Sequence, residues 1–61
     1  MELDYIKTGL MEATQMADAA RGAMNAARKF SKKWGAAAED LEFWTNKKAF
    51  FHAAMLKRVI A

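Results

Sequence analysis

The sequence predicts an all-α chain folded as an antiparallel two-helix hairpin, with helices at about 3–33 and 37–60 in a single domain spanning 1–61. Three observations carry that expectation. Apolar and small residues recur every three or four positions from Leu3 to Trp34, and a second run with the same spacing follows Gly35. Charge also alternates along the chain in four blocks whose order suits antiparallel neighbours.

In the first helix the series Leu3, Ile6, Leu10, Ala13, Ala17, Ala20, Met24, Ala27, Ser31, Trp34 defines a seam, and only Ser31 is polar. Met16, Ala23 and Phe30 widen it on one flank, while Lys7, Thr14, Arg21 and Arg28 make the other flank mostly charged. Between Ala13 and Ala27 the seam is nearly all alanine, a surface that lets a second helix approach closely. The chain has no Pro, and Ala, Met, Lys, Glu and Arg are strong helix formers. Gly9 and Gly22 interrupt the pattern, each at a cost of about 0.5–1 kcal/mol relative to Ala. Gly22 occupies the position facing away from the seam, which reads as a tolerated surface glycine.

Lys32-Lys33-Trp34 before Gly35, and Glu39 and Asp40 after it, read as a helix stop followed by a start, because cations favour a helix C-terminus and acids an N-terminus. The turn is therefore expected at 34–36. No Ser, Thr, Asp or Asn stands there to cap the second helix, so one continuous helix through Gly35 is the competing arrangement. The second helix places Ala37, Leu41, Trp44, Phe51, Met55 and Val59 on one face, interrupted by Lys48, whose stem can lie along the seam with its ammonium in water. Thr45-Asn46 is a possible break within it.

The charge blocks test the orientation. Glu2, Asp4, Glu12 and Asp18 against Lys7 leave 1–20 at net −3; Arg21, Arg28, Lys29, Lys32 and Lys33 make 21–35 net +5; Glu39, Asp40 and Glu42 make 36–46 net −3; and Lys47, Lys48, Lys57 and Arg58 make 47–61 net +4. Folding back at Gly35 sets each block beside one of opposite sign. Exposed pairs contribute only about 0–1 kcal/mol each, so the blocks select orientation more than they stabilise.

Sixty-one residues form a small core, and such domains usually gain stability from disulfides, a metal or association. The chain has no Cys, and its one His, His52, has no neighbouring ligands; packing at the core edge is the expectation for it, and no cofactor or metal is expected. Glu39, Asp40 and Glu42 read as first-turn acids and not as a carboxylate site, and Met11, Met16, Met24 and Met55 as core filling. Charged residues at 28% argue against a membrane span, and Glu2 and Asp4 are unlike the basic start of a secretory signal, so a cytoplasmic protein is expected. Nothing here carries catalysis, and a non-enzymatic role follows.

Apolar surface exceeds what two helices can bury. Phe43, Phe50 and Ala54 lie roughly 120° from the Leu41/Met55 face, at about 100° per residue. Together with Tyr5 and Met11, and with Phe51 as an aromatic anchor, they form the expected partner-binding set, a surface that suits a second copy of the chain, a dimeric four-helix bundle being favoured, or another helical protein. In size and plan the expectation resembles the Rop-type two-helix hairpins that dimerise; the resemblance is to architecture alone and carries no residue or target. Two further readings use the basic residues. Aromatics interleaved with cations over 43–52, and Trp34 beside Lys32 and Lys33, suit a membrane-active, even antibacterial, amphipathic peptide; Arg21, Arg28, Lys29, Lys32 and Lys33 suit a small nucleic-acid binder. Lys47 and Lys48 join the possible phosphate or lipid contacts.

Overall fold

Two helices, α1 over Leu3–Ala26 and α2 over Lys32–Ile60, pack against each other as a hairpin in the computed structural model, which describes residues 2–60. The pair makes a rod of 45 × 13 × 12 Å. No strand occurs among the described residues. α2 runs without a break through Thr45-Asn46.

The expected alanine stripe forms the heart of the seam. Ala13, Ala17 and Ala20 are buried, Ala13 completely, and Ala37 meets the stripe from α2. Ile6 and Phe51 complete the buried set near the open end. A core this thin relies on close approach: with methyl groups on α1, the bulk of Leu41, Trp44 and Phe51 on α2 fills the space between the axes.

The turn lies at 27–31 and not at 34–36. α1 ends seven residues earlier than expected, and Gly35 sits inside the first turn of α2, where its N–H donates to Ser31 O at 2.9 Å. Ser31, the one polar residue of the seam series, caps α2 at this earlier start. Its Oγ accepts a hydrogen bond from the Trp34 N–H at 3.2 Å, an N-cap that satisfies one free donor of α2 and contributes about 1 kcal/mol. Upstream, the Ala27 N–H closes α1 on the carbonyls of Ala23 and Met24, and the chain then leaves in an extended conformation. The Ser31 N–H donates to Arg28 O at 3.0 Å, closing a four-residue turn with Phe30 at its third position and φ 66. That position of a type II turn requires positive φ, which Gly adopts freely and an aromatic residue at a cost of about 1–2 kcal/mol.

Moving the turn changes the register. A turn at Gly35 would set Phe51 opposite residues 19–20; the observed turn sets it on Gly9. A β-carbon on Gly9 would stand 2.5–2.7 Å from three ring carbons of Phe51, so the ring rests directly on the bare backbone. Gly9 is thus a socket. The longer α2 extends past the start of α1, and Val59 and Ile60 are exposed there, Val59 at 74% although the periodicity places it on the seam. His52 is likewise exposed and not at the core edge.

The +5 block no longer lies beside the −3 block of 36–46; it wraps the turn. Arg28 and Lys29 follow α1, where cations suit the negative end of the helix, but Lys32 and Lys33 open α2 at its positive end, an unfavourable placement. Among the described residues the one ion pair is Asp18–Arg21 at 3.7 Å, within α1 and largely exposed, a marginal contribution.

Gly22 has open space where a β-carbon would stand. Gly22→Ala is expected to stabilise the hairpin by about 0.5–1 kcal/mol, read as a rise in the thermal midpoint followed by circular dichroism.

Candidate interaction face

The residues expected to bind a partner divide into two groups. Phe43, Phe50, Tyr5 and Met11 are exposed, at 54%, 57%, 61% and 63%. Phe51 is 5% exposed and Ala54 half-buried, so Phe51 belongs to the seam and has no surface to offer. Met11 also separates from the others: six residues from Tyr5, it lies about 120° away around α1 at 100° per residue.

Tyr5, Phe43 and Phe50 do share a side of the hairpin, Tyr5 and Phe50 through Phe51 and Phe43 through Trp44. The Tyr5 and Phe50 rings pack against Phe51 at centroid distances of 5.7 and 5.4 Å, both edge to face. Phe43 packs edge to face on Trp44 at 5.0 Å, and the Lys47 ammonium lies 5.5 Å from the centres of both rings. Each exposed ring is therefore braced by a neighbour rooted in the seam, which limits the side-chain freedom lost on binding.

Between the helices on this side runs a groove. Its aromatic half is a cavity of about 120 Å³ lined by Tyr5, Thr8, Gly9, Glu12, Trp44, Lys47 and Phe51. Its other half, toward the turn, is wider, about 500 Å³, and lined by Ala23, Ala26, Ala27, Lys33, Ala36, Ala37 and Asp40. Helical periodicity joins the two. The row Ala36, Asp40, Phe43, Lys47, Phe50, Ala54 runs along α2, and Tyr5, Glu12, Met16, Ala19, Ala23, Ala26 along α1, both on the groove side. Small residues line one half and aromatic rings the other.

The basic residues sit in two places. Arg28, Lys29, Lys32 and Lys33 are exposed around the turn, whereas Lys47 belongs to the aromatic cluster and Lys48 is exposed on α2. Sequence reasoning missed three participants. Gly9 reads as a helix defect until its partner ring is known; Trp44 reads as seam, and Lys47 as a phosphate or lipid contact and not as a partner of the Phe43 and Trp44 rings, although its spacing from them is visible. Among the described residues no group of three His, Cys, Asp or Glu is placed to hold a metal, and no helix is long and apolar enough to cross a membrane.

Comparison with known proteins finds no matching family model, no matching curated protein and no matching solved structure.

Proposed function

We propose that this chain is a non-enzymatic interaction module that pairs with a second copy of itself by docking groove to groove. One observation carries the reading: three braced, exposed rings and a small-residue channel occupy opposite halves of the same side. A two-fold axis across the middle of that side, with the rods antiparallel, sets the aromatic half of each copy into the alanine half of the other. Phe50 then reaches the channel by Ala19, Ala23 and Ala36 of the second copy, and Lys47 approaches its Asp40. The product is a four-helix arrangement built on close contact at small residues.

The size is adequate. A face of 45 by 13 Å is on the order of 600 Å² per copy before side chains are counted, near the lower limit for a standard protein interface. Burial of Phe43 and Phe50 supplies the anchors, and the Lys47–Asp40 approach fixes the orientation.

Replacing Phe43 and Phe50 together by Ser tests the face. Both rings are more than half exposed, so far-ultraviolet circular dichroism is expected to stay unchanged while sedimentation shifts from dimer to monomer. A doubly substituted chain that still sediments as the wild-type dimer refutes the proposal, as does a wild-type chain that sediments as a monomer at micromolar concentration.

A further inference from the structure

The turn carries a feature that the fold does not require. Its geometry calls for a residue of positive φ at position 30, which Gly or Asn adopts with little strain; the chain places Phe30 there, at φ 66 with 77% of its surface exposed. Folding does not explain that choice, since a ring so exposed buries little. A strained residue kept at a tip points to use of its side chain.

Phe30 has company. The Trp34 ring packs against it at 4.9 Å, and the Lys29 ammonium lies 5.5 Å over its face. Arg28, Lys32 and Lys33 are exposed in the same turn and the first residues of α2, and no acid occurs between Asp18 and Glu39. An aromatic pair ringed by uncompensated cations therefore caps one end of a 45 Å rod.

We propose that this tip anchors the closed hairpin to an anionic lipid surface, with Phe30 and Trp34 entering the headgroup layer and Arg28, Lys29, Lys32 and Lys33 lying at the lipid phosphates. Aromatic side chains favour the membrane–water interface, and each nearby cation adds attraction to an anionic leaflet. Charge complementarity alone would admit a nucleic acid, but a base needs an open ring face on which to stack. Here Lys29 covers one face of Phe30 and Trp34 leans against the ring at 58°, leaving apolar bulk without a flat platform. The tip's aromatic pair is distinct from the aromatic half of the groove. Lys33 borders the alanine half, but Phe30 and Trp34 do not line it, and Phe43 and Phe50 lie about 16 and 27 Å along α2 from Lys32, at 1.5 Å per residue.

The deciding variant is Phe30→Gly, which relieves the positive φ and so folds at least as well as the wild type. Co-sedimentation with phosphatidylcholine vesicles containing phosphatidylglycerol, and with pure phosphatidylcholine vesicles, measures the partitioning. The wild-type chain is expected to bind the anionic vesicles and largely ignore the neutral ones. F30G is expected to melt no lower than the wild type yet to partition more weakly by about tenfold or more. The F43S/F50S chain is expected to bind vesicles like the wild type, whatever its oligomeric state. Four results overturn the proposal: no wild-type binding to anionic vesicles, equal binding by F30G, equal loss in F43S/F50S, or tighter binding of a single-stranded oligonucleotide than of the vesicles.

Discussion

Phe51→Ala is expected to unfold the hairpin or bring it to the edge of unfolding. Phe51 is the one large ring buried in the seam, it rests on Gly9, and it braces Tyr5 and Phe50. Removing such a ring costs about 3–5 kcal/mol, while a domain of this size has on the order of 3–9 kcal/mol in all. Urea denaturation followed by circular dichroism measures the loss. A second substitution shows whether the socket is the cause. Gly9→Ala alone gains helix propensity, yet its β-carbon would stand 2.5–2.7 Å from the ring, and overpacking of this kind costs about 1–3 kcal/mol. The net change is therefore expected to be destabilising, opposite in sign to Gly22→Ala. In a Phe51→Ala background the ring is absent and Gly9→Ala is expected to stabilise. That reversal is a coupling between two contacting sites, measured by a double-mutant cycle. If Gly9→Ala instead raised wild-type stability as Gly22→Ala does, the ring would not be seated on Gly9.

The two-helix hairpin and its alanine seam were legible because they rest on periodicity, which every turn of helix repeats. Ala13, Ala17 and Ala20 are buried as the spacing requires. The turn was not legible in the same way, because single residues decide it. Gly35 and its flanking charges resemble a helix boundary, but dipole terms of a few tenths to 1 kcal/mol are outweighed by a Ser31 cap together with the register that brings Phe51 onto Gly9. Ser31 was visible as the lone polar residue of the seam series; its role as a cap depends on the chain leaving helical geometry at Ala27, a consequence of tertiary pairing and not of local propensity. The same displacement of the turn moved Val59 from seam to solvent and placed Arg28, Lys29, Lys32 and Lys33 around the tip. For the interaction face, the surplus of aromatic rings could be counted in the sequence. Which rings lie together across the two helices required the register; the separation of Met11 from Tyr5 follows from their spacing alone, and Phe51, which periodicity places on the seam face, is buried there and leaves the partner set.

Ala13→Leu is expected to have the second large effect, and for the opposite reason to Phe51→Ala. Ala13 is completely buried, and the helices meet there over a methyl group. A leucine adds three carbons where close packing leaves no space, so the helices must separate locally and release contacts at Ala17 and Gly9 as well. Overpacking costs about 1–3 kcal/mol in ordinary cores, and a two-helix core with no third layer to absorb the shift belongs at the upper end of that range. Thermal unfolding followed by circular dichroism should show a markedly lower midpoint. The informative contrast is Ala23→Leu, which adds the same carbons to an exposed wall of the groove. Intrinsic propensity changes little between Ala and Leu, so the monomer is expected to keep its stability. If the channel is where the second copy's Phe50 lodges, filling it should weaken dimerisation in sedimentation while leaving the unfolding of the isolated hairpin unchanged. Equal destabilisation by the two leucines would mean that Ala23 is part of the seam, and the channel would then be packing within one chain and not a seat for another.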